Sequence, residues 1–176
     1  MELLIGCGNS RERRLAWETE DKKFQQWTEL VTLDKQEPAD YIYDLECFPY
    51  PFPDDYFDEI HAYEVLEHTG VQGNVKFFFK QFHELWRMLK PDGYLAATVP
   101  AWNSVWAWGD PSHRRIINGG SLTFLDRDKY KQLGRTPMSD FRKLWKGDFI
   151  ALMAEEREPE QFIFVLQAIK PARAYD

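Results

Sequence analysis

The sequence predicts an α/β fold: one domain on a mostly parallel sheet, closed by a C-terminal antiparallel hairpin. Three observations predict it. The apolar run Leu3-Leu4-Ile5 breaks into Gly6-Cys7-Gly8 within the first eight residues. Short apolar or β-branched segments then recur around one strongly amphipathic stretch, the alternation expected of an α/β sheet. The last apolar segments, residues 149–154 and 161–169, flank a charged turn and read as a hairpin.

The elements follow in order. Residues 2–7 form a buried first strand whose terminal glycines allow a sharp bend. Residues 29–34 form a second strand that ends on Asp34. Parallel neighbours need a crossover between them. Residues 11–27 offer only Trp17, Phe24 and Trp27 among many charges, so a short helix or an irregular loop is expected there. Residues 40–45 give a third short strand, and Pro49, Pro51 and Pro53 mark the loop after it. Residues 57–63 give a fourth strand. The helix over 75–89 carries Phe78, Phe82, Leu85, Trp86 and Leu89 at spacings of three and four. Lys90-Pro91-Asp92-Gly93 stops it, and residues 94–99 form a fifth strand.

The 176 residues suit one domain, 1–176, with a sizeable core. A hydrophobic content of 44% and an aromatic content of 16% exclude a disordered chain. No apolar stretch approaches ~20 residues, so no membrane-spanning helix and no membrane association are expected. The N-terminus shows no cleavable signal. Cys7 and Cys47 are too few for a disulfide scaffold or a zinc cluster, and a reducing, cytoplasmic setting is expected. A net charge of −7 disfavours general nucleic-acid binding. Residues 113–146 nevertheless hold nine Lys/Arg against three acids, either as a solvated basic face or as a dock for an anionic substrate.

The chemistry gathers at strand ends. Glycines at 6 and 8 let backbone approach a ligand closely. Asp34 ends its strand where a carboxylate can accept hydrogen bonds from both hydroxyls of a ribose. A nicotinamide-dinucleotide fingerprint would need a third glycine near position 11, where Arg11 stands.

The segments LLIGCGN (3–9), VTLD (31–34), FPDDYFDEIHAYEVLEH (52–68) and ELWRMLKPDGYLAATV (84–99) occur in this order. So arranged, the chain resembles the class I S-adenosylmethionine-dependent methyltransferases, and more narrowly their small type-11 branch. The resemblance covers residues 2 to about 100. It implies a single-domain Rossmann-like methyltransferase fold with sheet order 3-2-1-4-5-7-6, strand 7 antiparallel, and S-adenosylmethionine as cofactor. It implies that Ile5, Gly6, Cys7, Gly8 and Asn9 bind the cofactor, Gly6 and Gly8 beside its methionine portion, and that Asp34 binds its ribose. Asp44 would bond the adenine amino group and Leu45 would pack on the ring; only an acceptor can meet an exocyclic amine. Tyr63 and Glu64 would complete the cofactor site.

Leu66-Glu67-His68 reproduces the family's Leu-Glu-His, and Asp110-Pro111-Ser112-His113-Arg114 resembles an acceptor-side loop of related enzymes. His68 and His113 are therefore the candidate catalytic residues, with intrinsic pKa values near neutrality. His61 and His68 match no common zinc spacing, and no metal is expected. Trp102, Trp106 and Trp108 would either wall a substrate or shield the core.

Two departures from the family stand out. The family usually carries an N-terminal helical cover, whereas this sequence opens on its first strand. The first crossover helix is also eroded. The expected function is methyl transfer to an O, N or C nucleophile of a small-molecule or modest anionic acceptor. The alternatives are a catalytically silent methyltransferase-fold partner and an RNA-modifying methyltransferase using residues 114–146. No oligomeric state follows from the sequence.

Overall fold

A computed structural model describes residues 1–18, 23–157 and 160–175. Its centre is a seven-stranded sheet. Strand β1 (Glu2–Ile5) lies between β4 (Leu30–Asp34) and β6 (Phe57–Tyr63), parallel to both. Beyond β4 lies the two-residue β5 (Tyr41–Ile42), and beyond β6 lies β7 (Leu89–Pro100), both again parallel. Strands β8 (Phe149–Arg157) and β9 (Gln161–Ala168) complete the order β5-β4-β1-β6-β7-β9-β8, with β9 antiparallel to both neighbours. Counted along the main sheet this is 3-2-1-4-5-7-6, as the resemblance implied. Residues 158 and 159 of the terminal hairpin lie outside the described residues.

Period-two alternation sorts the side chains of β6. Ile60 and Ala62 enter the larger core, while Tyr63 joins Leu4, Cys7 and Leu15 on the other face. Helix α1 (Val75–Met88) covers the larger core with Phe79, Phe82, Leu85 and Met88. Asn74 caps its start by accepting from the Phe77 amide. Segment 117–145 adds Ile117, Leu122, Leu125, Tyr130 and Trp145 to the same core.

The opposite face is covered by the crossover between β1 and β4. Its described part contains no helix. It holds a small antiparallel pair, β2 (Trp17–Glu18) with β3 (Lys23–Phe24), and residues 19–22 lie outside the described residues. A buried polar chain anchors it. Arg13 donates to Glu59 Oε2 at 2.5 Å, and His61 bridges Glu59 (2.9 Å) and the Tyr63 hydroxyl (2.6 Å). The Arg13 guanidinium lies over Trp17 and Trp27, 5.2 and 4.9 Å from their centroids. A buried ion pair under two indoles thus stands where an apolar helix face would otherwise pack.

Two predicted elements differ from the structure. The third strand shrinks from 40–45 to Tyr41–Ile42 because both flanking acids are occupied locally. Asp40 Oδ2 accepts from the amide and hydroxyl of Thr32, and Asp44 Oδ1 accepts from the Glu46 amide. Lys90–Gly93 does not separate helix from strand: β7 begins at Leu89, paired with Phe57, and the register shifts before Glu59 meets Tyr94.

Candidate active site

The carboxyl ends of β1, β4 and β5 open into a hollow of about 480 Å³, within the range of small-molecule sites. Its lining includes Gly6, Gly8, Asp34, Asp44, Leu45, Val65, His68, Thr69 and Ser112. This is the crevice where open α/β sheets bind ligands.

The two glycines do different work. Both have positive φ, +63° at Gly6 and +50° at Gly8. A Cβ on Gly6 would lie 2.3 Å from Val65 Cγ2, so Gly6 lets the loop after β6 close against the loop after β1. A Cβ on Gly8 would meet nothing within 4 Å. Gly8 therefore keeps open a space that a side chain would fill. Its amide donates to Asp34 Oδ2 at 2.9 Å, fixing the carboxylate at the rim.

The other residues singled out in the sequence lie at different depths. Ile5 is core, 1% exposed, and Asn9 is exposed. Cys7 is buried on the far face; its thiol donates to the Gly8 carbonyl, and burial pushes its pKa up. Tyr63 also points to that far face, where its hydroxyl accepts from the Leu15 amide and burial pushes its pKa up to about 12. Glu64, at φ +49°, accepts from Gln161 Nε2 at 3.1 Å. Gly6, Gly8, Asp34, Asp44, Leu45 and His68 are thus gathered in one wall, whereas Ile5, Cys7, Asn9, Tyr63 and Glu64 support or flank it.

A buried polar network holds the hollow's shape. The Tyr50 hydroxyl donates to the Leu45 carbonyl (2.9 Å) and accepts from Gln81 Nε2 (3.1 Å). Gln81 and Thr69 meet Arg115, whose Nε donates to the Leu66 carbonyl at 2.9 Å. Burial lowers the pKa of Arg115 to about 10. One network thereby joins the loop after β5, the 3-10 turn Leu66–His68 and the segment after α2 (Val105–Gly109).

That last segment brings His113 to His68, with ring centroids 4.7 Å apart. Glu67, whose carboxylate lies near both, is 2% exposed, and burial together with the neighbouring Glu64 carboxylate raises its pKa. Trp102, Trp106 and Trp108 do not shield the core: they are 52%, 61% and 73% exposed, because Ala107 takes the buried side of α2. The basic segment is not a continuous free face either. Arg115 is buried, Arg127 donates to three carbonyls, and Arg114, Lys131 and Arg142 are ion-paired. Sequence reasoning missed Val65, Thr69 and Ser112. Ser112 lay within reach as the neighbour of His113; nothing in sequence marks Glu67 as buried.

This fold, with a glycine loop and two strand-end acids around one hollow, defines a nucleoside-cofactor enzyme of the class I methyltransferase type. The methyltransferase-domain family matches residues 3–97, and the chain belongs to it. The methyl donor of this class is S-adenosylmethionine. Solved structures share the fold. An S-adenosylmethionine-dependent methyltransferase from Archaeoglobus fulgidus is 14% identical at a TM-score of 0.53, over 94% of this chain and 85% of that one. A Haloferax volcanii complex of the Trm112 methyltransferase activator with a methyltransferase gives 11% and 0.57, over 98% and 83%. The [4+2]-cyclase SpnF gives 14% and 0.54, over 96% and 74%. No curated protein matches the chain in sequence.

Proposed function

We propose that the hollow holds S-adenosylmethionine, with the methionine portion along Gly6 and Gly8, the ribose at Asp34 and the adenine at Asp44 and Leu45. The open space at Gly8, beside a carboxylate fixed by the Gly8 amide, is the observation that carries this reading. The donor set suits the ligand: carboxylates accept from hydroxyls and an amine, and bare backbone admits a chain.

The bound cofactor supplies a methyl group already activated on a sulfonium sulfur. Gly6, Gly8, Asp34, Asp44 and Leu45 would hold that cofactor, which would supply its methyl group to the acceptor's lone pair and keep the electron pair of the broken carbon–sulfur bond. The chain's task is alignment and exclusion of water. His68 lines the hollow, and His113, outside its lining, packs beside His68 with ring centroids 4.7 Å apart. Each directs Nδ1 at a backbone carbonyl, leaving Nε2 to take a proton from a small-molecule acceptor. Such a base contributes ~10²–10⁴-fold where the acceptor must ionise.

Calorimetric titration tests the reading. S-adenosylmethionine and S-adenosylhomocysteine bind one to one and NAD does not; binding of NAD alone overturns it. A second reading, a methyltransferase-fold subunit that works with a protein partner, is supported by the exposed Trp102, Val105, Trp106 and Trp108 beside His113. The Haloferax structure, which contains an activator, agrees with it. That reading predicts weak cofactor affinity in the isolated chain. Use of RNA as acceptor draws on few free cations, since most of residues 114–146 are tied internally. Its mark would be steep salt dependence of binding.

A further inference from the structure

Glu67, His68 and His113 converge beside the hollow that His68 lines, each offering one donor atom within 4.8 Å of the others. Nothing in their spacing marks them as a set, because His113 arrives from a different loop. The two histidines are oriented alike. His68 Nδ1 lies 3.2 Å from the Ser112 carbonyl and His113 Nδ1 2.9 Å from the Trp106 carbonyl. A carbonyl can only accept, so each Nδ1 carries the hydrogen and each neutral ring presents the Nε2 lone pair. Fixing the tautomer through a backbone carbonyl is the usual outer-sphere arrangement of metal-bound histidine.

The carboxylate gives the second, independent sign. Glu67 is 2% exposed, and neither of its oxygens finds a hydrogen-bond partner among the described residues. His68 Nε2 is 3.8 Å from Glu67 Oε1, too far for a hydrogen bond. Asp110 Oδ2 stands 3.8 Å from His113 Nε2 on the solvent side. A bare buried carboxylate is costly, and the neighbouring Glu64 carboxylate adds to the cost, offset only in part by the charge of buried Arg115, which makes its own hydrogen bonds elsewhere. A cation among the three side chains satisfies all of them at once.

We propose that Glu67, His68 and His113 bind a first-row divalent cation, of the zinc or cobalt kind, beside the hollow at its His68 wall. Two imidazoles and one carboxylate suit such ions better than magnesium or calcium. Three protein ligands leave a position open for the acceptor, as in catalytic rather than structural sites. Ligand bonds of about 2.0–2.2 Å require the donor atoms to draw together by about 1.5 Å in all. The His68 side chain, 37% exposed, has room to move. An acceptor hydroxyl held there loses its proton to solvent more readily, and the imidazoles then hold the cation instead of acting as bases. This acceptor role rests on the proposed cofactor reading; the metal site itself does not.

The test uses the full chain, stripped with chelator and titrated with Co²⁺ and Zn²⁺ by calorimetry and by cobalt visible absorption. One equivalent binds, with cobalt bands characteristic of four or five ligands. Glu67→Gln, His68→Ala and His113→Ala each weaken binding at least ~10–100-fold, while His83→Ala on α1 leaves it unchanged. Circular dichroism checks each variant; if Glu67→Gln unfolds, the two histidine variants decide. Failure of the parent to bind either ion below millimolar concentration overturns the proposal, as does undiminished binding by the folded variants. S-adenosylhomocysteine is titrated in parallel. Metal bound without the nucleoside sinks the cofactor reading alone; the nucleoside bound without metal sinks the metal site alone.

Discussion

Replacing Gly8 by asparagine separates two consequences that most pocket substitutions confound. Gly8 has φ +50°, where L-residues other than asparagine and aspartate lose roughly 1–2 kcal/mol. Asparagine tolerates this region, so Gly8→Asn retains the fold within about 1 kcal/mol, a melting shift of about 2–4 °C for a chain of this size. Its side chain must still enter space that is empty to 4 Å in the native protein. We expect S-adenosylhomocysteine affinity to fall at least about 100-fold, some 2.8 kcal/mol. Gly6→Ala is the counterpart. Its Cβ meets Val65 at 2.3 Å and is strained at φ +63°, so the fold loses about 2–5 kcal/mol. Scanning calorimetry and isothermal titration read the two effects separately. Wild-type affinity in folded Gly8→Asn would refute the assignment of the glycine loop to the cofactor.

Other expectations follow from single contacts. Asp34→Asn removes the charge at the ribose position, and affinity for S-adenosylhomocysteine drops by about 1.5–3 kcal/mol with little change in melting temperature; equal affinity by titration contradicts this. Tyr50→Phe strands the Leu45 carbonyl and Gln81, costing about 1–3 kcal/mol on urea unfolding, and a neutral result argues against the network as a support of the hollow. Burial holds the pKa of His61 below its ordinary 6.5. As pH falls below about 6.5 the unfolded chain takes up this proton before the native one, so stability declines by up to about 1.4 kcal/mol per pH unit until the native value is reached. Above 6.5 both states are neutral and the site contributes no slope. Urea unfolding between pH 7 and 5.5 should show this decline, flattened in His61→Gln; identical slopes would contradict it.

Sequence reading recovered elements whose pattern is local. The strand Phe57–Tyr63 and the helix Val75–Met88 announce themselves by period and caps, and the strand order followed from the resemblance. The β1–β4 crossover was not legible, because its stability comes from Arg13 meeting Glu59 across 46 positions rather than from an apolar stripe. The lining of the hollow was legible at Gly6, Gly8, Asp34, Asp44 and Leu45, which sit at strand ends. Tyr63 was read as part of the site, yet the alternation of β6 turns it with His61 toward the far face. Glu67 was read only as part of a family signature. Its burial depends on Arg115, His113 and the 3-10 turn arriving from separate segments, which no local pattern encodes.

The most direct measurement is a crystal structure with S-adenosylhomocysteine bound. Adenine is expected at Asp44 and Leu45, the ribose hydroxyls on the Asp34 carboxylate, and the sulfur between Gly8 and His68. Nucleoside density elsewhere, or a side chain filling the space beside Gly8, would contradict it.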